Sequence, residues 1–416
     1  MTKLTRILMA TAVALPLALP AHAEGSLEGI HHWVSESEVN ALKVITDKLA
    51  TKGYTWVDSA VGGMSGANAT QALRTRLAAG NPPATMQFLG FEGIDWAGEG
   101  VLRSLNDLYA ANGWEAALPP QIEQFAKADG NYFSVPINMH RQNWVWANKA
   151  VFDANGIEVP KTWDDMLAAG KKLKAAGVTP FSLSDESWQI LEVFESILAG
   201  QGGADFYKKA VMELDPESLS SDKMIKAFDT LRAVSTMVDD GIAGRDWAVA
   251  SGRVASGDAA MQIMGDWAKG EFLAKGMTPG VEFLCFPTPG EPHFSYIIDA
   301  FGMFKTDDPN VTAAQDAWAE SIMDPEVQKQ FNLIKGSIPA RIDVPVDDFD
   351  DCAKQGYADR EAAIAAGTML PGLTEGFAVQ PQYAGVFFDV VGKFFVTDMT
   401  SEEAVAELIA GIDNAR

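Results

Sequence analysis

Two hydrophobic periods take turns along this chain. Short apolar runs of the kind strands make are interleaved with stretches whose apolar residues recur every three or four positions, the helical period. Gly29 to Val34 reads as a strand and Ser37 to Thr51 as a helix with Val39, Leu42, Val44, Ile45 and Leu49 on its inner face. Tyr54 to Val61 is again strand-like. The glycine-rich turn Gly62 to Asn68 leads into a helix over Ala69 to Ala79, which Asn81-Pro82-Pro83 stops before a strand at Thr85 to Leu89. This alternation predicts an α/β fold with a mainly parallel sheet and helices on both faces.

Further along, the pattern turns more helical. Lys161 to Ala176 starts at Thr162-Trp163-Asp164-Asp165 and stops before Gly177, and Gln189 to Ala199, Ser221 to Asp240 and Thr312 to Asp324 carry the same period. Strands return at Asp258 to Met264 and Tyr296 to Lys305. No low-complexity linker and no long-period repeat interrupts the 416 residues. A chain of that length accommodates two domains, and without a single flexible linker it must pass between them more than once.

The first 23 residues depart from the rest. Lys3 and Arg6 precede an apolar stretch from Ile7 to Pro20, and Ala21-His22-Ala23 is a small-x-small cleavage site. This predicts a signal peptide cut after Ala23 and export of the remainder; the run is too short and proline-broken for a membrane span. The whole chain carries 32 basic and 56 acidic residues, a net charge of −24. Such a surface repels phosphate backbones and anionic lipids, which argues against nucleic-acid partners and membrane-surface binding. Two cysteines, Cys285 and Cys352, are too few for a four-cysteine zinc site or an iron–sulfur cluster. In an oxidising compartment they are expected to form a disulfide.

No catalytic signature is present: no G-x-S-x-G, no H-E-x-x-H, no phosphate-binding loop, and no glycine fingerprint after a strand. His31 and His32 are adjacent on a strand and point to opposite faces, so no metal site is expected there, and no cofactor is implied. The tryptophans say more. Of the eleven, Trp33, Trp96, Trp188 and Trp267 each sit beside polar or acidic residues. Flat aromatic plates edged by carboxylates, amides and guanidinium groups suit a sugar, which offers apolar C–H faces rimmed by hydroxyls.

Several fragments in order carry a resemblance: His31-His32-Trp33-Val34-Ser35-Glu36-Ser37-Glu38, Ala79-Gly80-Asn81-Pro82-Pro83, Asn138-Met139-His140-Arg141-Gln142-Asn143-Trp144, Gly265-Asp266-Trp267-Ala268, Ile298-Asp299 and Gly336-Ser337-Ile338-Pro339-Ala340-Arg341. Together with export and acidity, they make the chain resemble the family 1 extracellular sugar-binding proteins of ABC importers, most closely the glucose-binding branch. The resemblance implies two α/β lobes of the type II periplasmic-binding-protein fold, joined by crossing strands, with the ligand between them. It places residues 24–135 and 298–338 in one lobe and 136–297 and 339–416 in the other. It further implies a monomeric periplasmic receptor, not an enzyme, that passes a monosaccharide to a membrane permease.

Trp33, Trp188 and Trp267 are then the expected stacking plates, Glu36, Asp266 and Asp299 the acceptors, and Arg141, Asn143 and Lys335 the donors. Departures from the branch fall at His32, at Leu89-Gly90-Phe91-Glu92 and at Glu375, where tryptophan, lysine and histidine are the branch's residues. Glucose leads, with a related monosaccharide, a polyol or a substituted or amino sugar as alternatives. The rival class is a secreted glycan hydrolase or lyase.

Overall fold

The computed structural model describes residues 25–416, so the expected signal peptide lies outside the described residues. Two sheet-and-helix bodies sit on either side of a small four-stranded sheet. The first body is built on a five-stranded sheet in the spatial order Tyr54–Ala60, Gly25–His31, Thr85–Phe88, Ala300–Met303, Ser134–Pro136. The second body has the order Phe283–Pro287, Trp144–Asn148, Ala259–Ile263, Thr179–Phe181. Between them lies Ile338–Pro339, Asn138–Arg141, Phe294–Ile297, Met369–Pro371.

The sheets are mixed, not mainly parallel. In the first body Gly25–His31 runs parallel to both neighbours, but Ala300–Met303 is antiparallel to Thr85–Phe88 and to Ser134–Pro136. The strand expected over Tyr296 to Lys305 is in fact two. Phe294–Ile297 belongs to the small sheet and Ala300–Met303 to the first body, and the chain crosses at Ile298-Asp299. Another crossing lies beside it, at Ile137, between Ser134–Pro136 and Asn138–Arg141. The two are bonded together: Ile137 N donates to Asp299 O at 3.0 Å, and Asp299 N donates to Asn138 Oδ1 at 2.9 Å. Periodicity could not separate these strands, because both halves are apolar and buried.

Local chemistry explains most of the helix boundaries. Thr162 and Asp165 form a reciprocal capping box that starts Trp163–Ala175. Asp308 caps Pro309–Ile322, with Pro309 in the first turn where its missing N–H costs nothing. The first helix, Glu36–Thr51, turns Ala41, Leu42, Ile45 and Leu49 inward, whereas Val39, expected inside, is 52% exposed. In the second body Phe228 packs between Phe194 and Phe394, with ring centroids 4.5 and 4.9 Å away.

Cys285, in the strand Phe283–Pro287, is disulfide-bonded to Cys352 at the start of the helix Asp351–Ala366, with Cα atoms 6.0 Å apart. The bond ties the edge of the second body's sheet to the C-terminal third of the chain. Thiol titration of the unfolded, unreduced protein is expected to find no free thiol, and reduction to lower stability by about 4 kcal/mol, given a closed loop of roughly 68 residues. Denaturant melts with and without reductant measure it.

Candidate functional site

The cleft between the two bodies is floored by the crossing strands. It is open at its mouth, and the space between its atoms, solvent at the mouth included, is ≈ 640 Å³. Its walls come from both sides: His32, Trp33 and Glu38 from the first, Trp188, Trp247 and Trp267 from the second, and His140, Asp299, Lys335 and Glu375 around the floor and rim.

Glu38 is there because it caps a helix. Ser35 accepts from Glu38 N, while Glu38 Oε2 reaches back to Val34 N at 3.0 Å and Ser35 N at 3.1 Å, which holds the carboxylate over the cleft. Its other oxygen accepts from Lys335 Nζ at 3.1 Å, and both side chains are buried. Burial works against the Glu38 charge, but Lys335 and His32 outweigh it and hold its pKa below the usual value.

The floor is a relay of buried charges centred on His140. Its Nδ1 donates to Asp266 and its Nε2 to Asp299 Oδ2 at 3.0 Å. Two donated bonds require the imidazolium form. Burial disfavours that charge, but Asp266 and Asp299 prevail and the His140 pKa is raised. Asp299 also accepts from Gln87 Nε2 at 2.7 Å and Asn138 Nδ2 at 2.8 Å. Burial would lift its pKa, yet bonded His140 and nearby Lys335 keep it well below the usual carboxylate range. His32 goes the other way, since burial lowers its pKa and favours the neutral ring.

Three contacts join the walls at the mouth. Ser37 Oγ donates to Glu271 Oε1 at 2.7 Å, Ser65 donates to Glu375, and Phe91 N donates to Gly376 O at 2.9 Å. Beside the last, Gly90 has φ +50°, and a Cβ there would stand 2.1 Å from Gly376 O, so the approach requires glycine. Glu375 is pushed up to about 8 by burial, with Asp299 and Glu195 adding to the effect and the Ser65 bond opposing it.

Of the residues expected from sequence, His32, Trp33, Trp188, Trp267, Asp299, Lys335 and Glu375 line the cleft. Four do not. Glu36 is exposed in the first helical turn, and Glu38, two positions on, occupies the wall instead. Arg141 lies behind the floor, paired with Asp359 and stacked on Trp144 and Phe294. Asn143 joins neighbouring segments, accepting from Ser295 N at 3.0 Å and donating to His293 O at 3.2 Å. Asp266 serves His140 and accepts from Arg141 N at 2.9 Å. Trp96 is also elsewhere, with Arg74 5.9 Å over its ring.

Glu38, His140 and Trp247 were missed. The S-x-x-E spacing of Ser35 and Glu38 was readable as a capping box, and Asp246-Trp247 repeats the acid–tryptophan pairing of Asp266-Trp267. His31 and His32 diverge as strand alternation requires: His31 Nε2 bonds Asp58 Oδ1 at 2.6 Å, while His32 faces the cleft.

This two-lobed architecture, with a cleft over crossing strands, is that of a solute receptor. Residues 35–319 match the family model described as bacterial extracellular solute-binding protein, and the chain belongs to that family. It is 43% identical over 417 residues to a probable sugar-binding periplasmic protein of Mesorhizobium japonicum, covering 99% of this chain and all of that one. A protein of the same description from Rhizobium meliloti is 40% identical, with 98% of each chain covered. Among solved structures, a chitin oligosaccharide binding protein superimposes with a TM-score of 0.80 at 21% identity, covering 94% of this chain and 98% of that one. A solute receptor described as preferring β-D-galactopyranose gives 0.77 at 18% identity, covering 94% and 99%. These likenesses establish the fold; the family is one of binding proteins, not enzymes.

Two outcomes follow from this geometry. Trp33 is 1% exposed and packs on Phe301 and Phe331 at 5.6 and 5.3 Å, so it is core as much as wall. Trp33→Ala is expected to cost about 3–5 kcal/mol of unliganded stability, read from denaturant melts.

The second concerns pH. Glu375 has a folded pKa raised to about 8, so the stability its neutral form contributes is complete below the ordinary carboxylate range and is lost as pH rises through about 8. Glu195, raised to about 7 by burial, adds a loss at slightly lower pH. Melts of the unliganded protein should therefore fall from about pH 4.5 to about pH 8 and level off above it, and Glu375→Gln should remove the part of that fall between about pH 7 and 8 and reduce the rest.

Proposed function

We propose that this protein is the exported, periplasmic receptor of an ABC importer. In this reading it holds one monosaccharide, glucose or a close relative, between its lobes and hands it to a membrane permease. The lobes are residues 24–135 with 298–338, and 136–297 with 339–416; the receptor works as a monomer. The observation that carries the reading is the cleft wall itself. Tryptophans from both sides face a space bordered by buried, already ionised groups, the combination that a hydroxyl-rimmed apolar ring requires.

The donors and acceptors are preorganised by their own partners. Lys335 uses one N–H on Glu38 and has others to give, and His32 presents a neutral ring. Carboxylates of Asp299 and Glu38 are fixed in place before any hydroxyl arrives. A sugar touching both walls binds the closed form better than an open one and shifts the population toward it, which is what a permease would read. The sugar-binding descriptions of the Mesorhizobium and Rhizobium relatives support the ligand class.

Thermal shift and calorimetry with a panel of monosaccharides test this. At a hundredfold excess over Kd, a bound sugar should add about 2.7 kcal/mol of stability and be recovered chemically unchanged. Trp247→Ala, which trims a half-buried plate, should weaken that binding about 5- to 150-fold. Turnover of the sugar would place the protein among hydrolases or lyases, and no shift with any sugar would overturn the reading.

A further inference from the structure

Resting on the reading of the cleft as a sugar site, we propose that the sugar it takes carries a free amino group, and that Glu375 receives the ammonium. Several charges of the wall are already paired. Both cations there are committed: Lys335 to Glu38, and His140 to Asp266 and Asp299. Three wall carboxylates are left with no cationic partner among the described residues: Glu186, Asp246 and Glu375. Glu186 accepts only from Trp188 Nε1 at 2.8 Å and Gln189 Nε2 at 3.0 Å, and Asp246 from Ala248 N at 2.8 Å.

Glu375 is the most constrained of the three. It is 7% exposed, it lines the cleft, and one carboxyl oxygen takes the Ser65 hydroxyl while the other has no partner among the described residues. The charged groups facing it are Asp299 from the crossing strand, Glu192 and Glu195 from the helix Ser187–Gly202, and His140. Burial holds Glu192 and Glu195, like Glu375, toward the neutral acid, which leaves Asp299 as the ionised carboxylate of that set, paired with His140. The aromatic wall agrees with the charges. Arginine or lysine lies over Trp96 and Trp144 elsewhere, but none covers Trp33, Trp188, Trp247 or Trp267. Trp33 is packed on Phe301 and Phe331, so the half-buried Trp247 is the plate most accessible to a ligand cation, which tryptophan attracts better than any other side chain. A neutral sugar would leave the second oxygen of the buried Glu375 carboxyl without a charged partner; an ammonium supplies one. The chain's net charge of −24 also favours cation capture over anion capture.

Ligand arrival then moves one proton. Glu375, held as the neutral acid in the empty cleft, ionises against the ammonium and releases its proton to solvent.

Calorimetry with matched pairs tests this on the whole mature protein: D-glucosamine against D-glucose, D-galactosamine against D-galactose, and N-acetyl-D-glucosamine as the acylated control. The expected result is an amino sugar preferred over its hydroxyl partner by at least about tenfold at pH 6.5, with the N-acetyl form losing that gain. Titration in two buffers of different ionisation enthalpy should show about one proton released per amino sugar bound. Glu375→Gln should shrink the preference to within about threefold and abolish the release. The wild-type preference and proton count stand even if that variant misfolds. Equal or tighter binding of the neutral partner overturns the amine assignment while leaving a sugar receptor in place. Binding of neither class overturns the sugar reading and this inference together.

Discussion

Everything in the cleft hangs on one buried imidazolium. His140 sits on the strand Asn138–Arg141, and its two carboxylate partners come from places 126 and 159 residues away in sequence. Burying a charge costs several kcal/mol unless it is paired and its remaining hydrogen-bonding capacity is met. That requirement forces the Ile137 and Asp299 crossings to lie side by side, because Asp299 can satisfy His140, Asn138 and Gln87 only from there. Removing His140 or either carboxylate would leave a buried charge short of its partner at the hinge. The floor is therefore stiff, and relative motion of the lobes is left to the crossing peptides around it.

Above this floor the lobes are joined at the mouth by few polar contacts. The Ser37–Glu271, Ser65–Glu375 and Phe91–Gly376 bonds contribute about 0.5–1.5 kcal/mol each after competition with water. A ligand that adds several bonds and stacks on tryptophans from both walls contributes comparably or more. Apolar packing such as Phe125 against Phe377 adds to these bonds, and a ligand that touches both walls shifts the balance further toward the closed form.

Much of this was legible in sequence, for physical reasons that can be named. The disulfide followed from compartment and an even count, and the structure bonds Cys285 to Cys352. Trp267 and Asp299 stood in recognisable fragments, Lys335 directly before one, and all three line the cleft. The failures share one cause. Glu36 against Glu38 is a matter of helical rotation: a shift of two positions turns a side chain through about 200°, and only the capping bond says which carboxylate faces inward. Arg141 ends the strand Asn138–Arg141 and Asn143 lies in the break before Trp144–Asn148, and both meet segments some 150 positions on, so whether they meet ligand or backbone is decided by pairing that no local pattern encodes. The same holds for the split at Ile298-Asp299, where two apolar strands in different sheets read as one.

The loop that brings Ser65 to Glu375 adds a last constraint. Met64 and Ser65 both have positive φ, +53° and +46°, between Gly63 and Gly66, which take such angles freely. For residues with a Cβ this left-handed conformation costs of order 1–3 kcal/mol each. One hydrogen bond from Ser65 to a carboxyl group offsets only part of that cost. The loop is consequently held in place by its surroundings: Gly66 passes close to His32, where a Cβ would come within 3.2 Å of Nδ1, and Asn68 Nδ2 clasps Gly62 O at 3.0 Å. Strain kept at the rim of a cleft makes the closed arrangement sensitive to what touches it. The segment that contacts Glu375 across the mouth therefore keeps its shape through its neighbours and not through its own backbone preferences.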